Sequence, residues 1–219
     1  ISPSVLRVFG DSGFRSERLV AWELGYRATP DPRFQVDLAA YYNVYDYLRS
    51  VAPGTPSLQG STVLVPLFLG NAFHGHAYGG EVSATARLSS RWRMRANYAL
   101  VKMTVEPRAD APAGAVTDVV PGLNPEHQVS VWSSFDLPAR MELDLVGRYV
   151  SQLTGARPAV PAYVTADAQL AWHVSANGRI GIIGQDLVHR RHVEFQAPQG
   201  VVMERAIPRR VAFKAAWSF

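Results

Sequence analysis

Polar and apolar residues alternate one by one along most of this chain, and the closing stretch R-V-A-F-K-A-A-W-S-F shows the pattern plainly. Counting back by twos gives Phe219, Trp217, Ala215, Phe213 and Val211, all apolar. Between them lie Ser218, Ala216, Lys214, Ala212 and Arg210, small or polar throughout. A period of two marks a strand whose two faces meet different surroundings. The same alternation predicts nine strands: 19–27, 34–48, 80–88 with a start as early as 63, 92–105, 127–137, 140–150, 163–174, 179–188 and the terminal segment. No long stretch carries the 3.6-residue period of a helix.

The connections alternate in length. T-P-D-P-R, S-S-R, P-A and S-A-N-G are tight, as their Pro, Ser and Gly content suits. Between them fall S-V-A-P-G-T-P-S-L-Q-G-S, the long segment from Glu106 to Glu126, L-T-G-A-R-P-A-V-P-A, and about twenty residues from His189 to Pro208. All short turns therefore lie at one end of the strands and all long loops at the other. That parity belongs to the up-and-down outer-membrane barrel. Greek-key crossings in a sandwich would break it. Gly79 and Gly80 suggest a bulge or kink in the long third strand.

Sorted by face, one side collects Trp22, Leu24, Leu38, Val82, Met94, Tyr98, Val131, Leu143, Leu145, Ala168, Leu170 and Trp172, with no charged residue among them. The other collects both signs of charge, including Glu23, Arg27, Asp37, Glu81, Arg87, Arg93, Arg95, Glu142, Asp144, Arg148, Asp167 and Lys214. Glu23, Arg27, Glu81 and Arg87 are expected to form one ion-pair network. No helix or oppositely patterned strand is available to cover the apolar side, so lipid is its simplest partner. An Arg or Lys facing lipid near the midplane costs roughly 2–4 kcal/mol, which accounts for the absence of charge there. Trp92, Phe34, Trp172, Trp217 and Phe219 gather towards the short-turn end, as an interfacial aromatic girdle does.

Composition narrows the classes further. Cysteine is absent, which excludes a disulfide framework and thiolate chemistry. Hydrophobic residues make up 47% of 219 positions, too many for a disordered chain. No apolar run reaches the ~18 residues of a membrane-spanning helix. The formal charge of +4 is dispersed, and its densest cluster, H-R-R-H at 189–192, is short, so a nucleic-acid partner is not expected. The opening I-S-P-S-V-L-R-V-F-G has no Met, basic n-region or apolar h-region. Nine strands are also an odd number, whereas bacterial single-chain barrels have an even count. The expectation is therefore the C-terminal part of a larger barrel in the bacterial outer membrane.

Several segments carry a family resemblance. S-E-R-L-V-A-W-E-L-G-Y-R at 16–27, D-L-A-A-Y-Y-N-V-Y-D-Y-L-R-S through Y-G-G-E-V, N-P-E-H-Q-V-S-V-W-S-S-F-D-L-P, V-P-A-Y-V-T-A-D-A-Q-L-A-W, G-Q-D-L-V-H-R-R-H-V-E-F and the terminal W-S-F follow one another in order. Together they resemble the β-barrel of TonB-dependent outer-membrane receptors over essentially the whole chain. The resemblance implies a 22-stranded barrel with an N-terminal plug and a short box that engages TonB. It also implies import of a scarce small-molecule ligand, such as a ferric siderophore. On this reading residues 1–219 are the C-terminal barrel portion, and plug, box and N-terminal strands lie outside it. Phe213, Trp217 and Phe219 look like the signal read by the barrel-assembly machinery.

Candidate chemistry is sparse. Asp144, Asp167 and His173 are the residues a barrel enzyme would use, but paired charges lining a lumen explain them better, and no enzymatic activity is expected. H-G-H at 74–76 and H-R-R-H at 189–192 read as loop histidines without a completing carboxylate, so no metal site or cofactor is expected. Inward residues towards the long-loop end are the candidates for contacting ligand: Asn43, Tyr45, Gln128, Arg148, Asp167 and Gln185. A passive porin-like or adhesin barrel is the alternative reading.

Overall fold

The protein is described by a computed structural model, covering residues 4–156, 158–194 and 206–218. Its elements in chain order are β1 (Ser4–Phe9), β2 (Arg18–Asp31), β3 (Phe34–Pro53), β4 (Ser57–Gln59), β5 (Thr62–Ser89), β6 (Trp92–Pro107), β7 (His127–Leu137), β8 (Met141–Val150), β9 (Tyr163–His173), β10 (Gly178–Gln185), β11 (Arg191–Val193), β12 (Ala206–Pro208) and β13 (Arg210–Trp217). Among the described residues the only helical turn is Pro138–Arg140, between β7 and β8. No helix is long and apolar enough to cross a membrane, which says nothing of strands.

The sheet follows the order β13-β10-β9-β8-β7-β6-β5-β3-β2. These nine strands are the nine the alternation predicts, and each predicted neighbour pair is hydrogen-bonded. The path has two edges, β2 and β13, so it is a nine-strand portion and not a closed ring. Loop parity holds throughout.

The differences are local. β2 runs on through Pro30 to Asp31, where the sequence predicts a turn. β2 is an edge strand, where the missing N–H of a proline is tolerated. The turn is tighter than expected, and the Asp31 carboxylate accepts the Arg33 N–H at 2.8 Å. The third predicted strand takes its early start and runs unbroken for 28 residues, through Gly79 and Gly80. At Gly80 a Cβ would lie 2.9 Å from the Ala39 carbonyl oxygen, so this glycine lets two strands approach closely. The eighth predicted strand stops at Gln185, because Asp186 turns to a positive φ of 54°. β1, β4, β11 and β12 were not predicted.

The chain divides into two compact units. The first comprises Ile1–Trp22, Tyr41–Tyr78 and Lys102–Pro121. Here β1 lies parallel along β5, pairing Ser4 with Val63 and Phe9 with Phe68. Buried residues alternate along β3 as Leu48, Ser50 and Ala52. Tyr47 immediately precedes them at a φ of 57°, held by the Asn71 amide donating to its carbonyl at 2.6 Å. The Arg15 and Arg108 guanidinium carbons lie 5.1 and 4.7 Å from its ring centroid.

The second unit comprises Glu23–Ala40, Gly79–Val101 and Gly122–Phe219. Its registers join the predicted apolar positions into continuous rows. One row runs Trp92, Phe135, Leu143, Leu170, Ile182, Phe213 across six strands. The adjacent row on the opposite face runs Arg93, Ser134, Asp144, Gln169. The apolar face is bare: Phe213 is 85% exposed, and Trp92, Trp172 and Ile182 are also exposed. Among the described residues of this unit, the buried apolar ones are Leu153, Ala156, Val160 and Ala171. The first three form one small cluster against Val193. A water-soluble domain of this length would bury a far larger core. So wide an exposed apolar surface marks an interface with something apolar.

Candidate ligand-facing wall

The pleat sends every second side chain to the polar face, so its residues recur at steps of two along each strand. Cross-strand partners are then set by register. Near the short turns, the Arg93 guanidinium contacts Asp136 at 3.1 Å. Glu142 accepts from Arg179 at 2.7 Å and meets His173 Nε2 at 3.0 Å. Asp144 accepts from Ser134 Oγ at 2.5 Å and from Trp132 Nε1 at 3.3 Å. Further along, Ser83 Oγ donates to Asn97 Oδ1 at 2.8 Å, and the Asn97 amide donates to Ser130 Oγ at 3.1 Å. Arg27 pairs with Asp37, which also accepts from Gln35 at 2.9 Å, and Arg148 pairs with Asp167.

Arg27, Asp37, Ser83, Asn97, Ser130 and Arg148 border an open recess of about 750 Å³. Arg27, Asp37, Glu81, Asn97, Gln128 and Arg148 supply its polar lining. Both signs of charge and neutral donors converge on it, so it can hold a polar surface by many charge-assisted hydrogen bonds.

Of the six residues predicted to contact ligand, Gln128 and Arg148 line this recess. Asp167 is tied to it through Arg148. Gln185 ends β10 opposite Arg210 and is exposed away from the lining. Asn43 and Tyr45 belong to the first unit, where the Asn43 amide donates to Tyr45 Oη at 3.4 Å. The Asn43 Oδ1 atom is buried without a hydrogen-bond partner among the described residues. The predicted network of Glu23, Arg27, Glu81 and Arg87 does not form. Arg27 takes Asp37 instead, and the other three make no ion pair among the described residues. Sharing a face along a strand does not fix which charges meet across strands. Trp132 was missed on the polar face; its step of two from Ser130 and Ser134 is the signal.

Asp144, Asp167 and His173 do not converge: each is engaged by different groups, namely Ser134 and Trp132, Arg148, and Glu142. His74 and His76 lie inside β5 and not in a loop, with His76 against the Tyr42 ring at 6.3 Å. Of the proposed assembly signal, Phe213 and Trp217 lie on β13, and Phe219 lies outside the described residues.

Comparison with known proteins agrees with this architecture. A family model described as "TonB dependent receptor-like, beta-barrel" matches residues 3–182. No curated protein sequence matches. Among solved structures, the FrpB iron transporter from Neisseria meningitidis is similar over 99% of this chain and 33% of its own, with a TM-score of 0.70 and 12% identity. The ferric-catecholate import receptor Fiu from E. coli K12 is similar over 95% of this chain and 29% of its own, at a TM-score of 0.69 and 18% identity. The copper transporter OprC is similar over 95% and 33%, at a TM-score of 0.66 and 14% identity. At these identities the likeness is one of fold, and the chain spans about a third of each relative. With four-fifths of its length matched by the family model and nine strands in barrel order, the chain belongs to the TonB-dependent receptor-like β-barrel family.

Proposed function

We propose that this chain is the C-terminal barrel portion of an outer-membrane receptor that takes up a scarce small ligand, a ferric siderophore or similar chelate, with energy coupled through TonB. One observation carries the reading: a bare apolar face backed by a charged, hydrogen-bonded wall with an open recess. The apolar face meets outer-membrane lipid. The wall meets the plug or the ligand, with Gln128, Arg148 and Asp167 as the contacts on the recess. Asn43, Tyr45 and Gln185 are contacts nearer the loops. Phe213, Trp217 and Phe219 serve as the signal for the barrel-assembly machinery. The chain performs no catalysis and needs no cofactor; its part is to bind and pass cargo. The solved relatives named for iron, ferric catecholate and copper transport support the cargo class.

The test is uptake of labelled ferric chelates, offered singly to iron-limited cells that carry the complete protein. Accumulation of one chelate is expected to saturate and to collapse when TonB is removed. Uptake that rises linearly with concentration and ignores TonB would replace this reading with a passive barrel.

A further inference from the structure

The last long connection gathers three metal-ligating side chains that the transport reading does not use. Asp186 follows β10, and His192 and Glu194 flank Val193 at the end of β11. One ligand atom from each lies within 4.8 Å of the others. The His192 side chain is only 7% exposed. Its Nε2 meets Glu194 Oε1 at 2.9 Å, while its Nδ1 is buried without a hydrogen-bond partner among the described residues. A buried imidazole nitrogen left unpaired costs free energy comparable to a lost hydrogen bond.

The surrounding contacts hold the three groups in place. The Asp186 N–H donates to Asp167 Oδ1 at 2.9 Å, and the Leu187 N–H donates to the Ala166 carbonyl at 2.8 Å. These pin the Asp186 turn to β9. The Tyr163 ring packs on His192 with centroids 4.9 Å apart. β11 pairs with β12, placing His192 opposite Ile207, and Val193 packs on the Leu153, Ala156 and Val160 cluster. The His189 ring lies 6.4 Å from that of His192.

We infer that Asp186, His192 and Glu194 form a binding site for a divalent transition-metal ion of the zinc, nickel or copper class. One imidazole with two carboxylates suits these ions. Ligand bonds of about 2.0–2.2 Å from these three side chains leave at least one position of a four-coordinate site open. The His192–Glu194 contact is then the metal-free arrangement, and loading releases any proton shared between them. The site stands on its own residues and does not depend on what the barrel transports.

Zn²⁺ titration of the membrane-assembled protein in mild detergent, against a chromophoric chelator, tests it. One Zn²⁺ per chain is expected. His192→Gln and Glu194→Gln should each weaken binding by at least about tenfold, the effect seen when a single supporting group is lost at a metal site. His74→Ala with His76→Ala should leave it unchanged. Because His192 is buried, Co²⁺ absorption of the unaltered protein is read as well; visible bands of nitrogen and oxygen ligation are expected, with loss in Glu194→Gln. No stoichiometric Zn²⁺, or binding that survives both single variants and falls with the His74/His76 pair, would overturn the assignment.

Discussion

Leu145→Arg is expected to destabilise the membrane-assembled protein by about 2–4 kcal/mol, the cost of a cation facing lipid near the midplane. Leu145 lies midway along β8 on the apolar face, between Ser133 and Ala168 in register. Its neighbour Val146 points to the polar face, opposite Trp132 and Asp167. Val146→Arg should therefore change stability by less than about 1 kcal/mol, since the new cation meets water and a carboxylate. Denaturant titration of folding into lipid vesicles measures both. The prediction lies in the contrast between two adjacent positions. Equal costs would mean that the faces are not divided between lipid and water.

Gly178→Val should be the second large effect, costing about 1–3 kcal/mol through overpacking. Gly178 opens β10 opposite Trp217 on β13, and the indole ring lies across it. A Cβ there would sit 2.3 Å from Trp217 Cζ3 and 2.9 Å from Ser175 Oγ. Ring and glycine fill one site, as an aromatic covering a strand glycine does. Trp217→Ala in the Gly178→Val background should recover part of the loss, giving a coupling of about 0.5–3 kcal/mol between contacting residues. Strict additivity of the two changes would contradict this packing.

The nine long strands were legible because each holds its alternation for eight or more residues, and loop length then fixes their parity. β4, β11 and β12 span three residues each, too few for a period of two to register. β1 alternates poorly, because V-L-R-V-F is apolar at neighbouring positions. The faces were legible for the same reason as the strands, and Phe135, Leu143, Leu170 and Ile182 fall into one row as the pattern requires.

Side-chain partnerships were less legible. Arg27 and Asp37 are joined across the tight turn after β2, whereas Glu23 and Glu81 share only its face. Register carries that information, and register depends on turn geometry. The Asp186, His192 and Glu194 grouping was missed, since H-R-R-H reads as histidines without a completing carboxylate, whereas Glu194 lies beside His192. His192 and Glu194 are two residues apart, a spacing that puts both on one side of an extended segment. Asp186 joins them only because its backbone turns to positive φ, a local choice that the pattern of hydrophobicity does not record.

The central claim is that alternate residues of these strands face lipid and water. The chain contains no cysteine, so single cysteines can be placed along β9 without background. Spin labels at residues 163–173 would then report oxygen against water-soluble quencher access in the membrane. The account predicts a period of two: Val164, Ala166, Ala168, Leu170 and Trp172 open to lipid, with Thr165, Asp167, Gln169, Ala171 and His173 open to water or protected by protein. Uniform water access along both sets, or lipid access at Asp167 and Gln169, would contradict it.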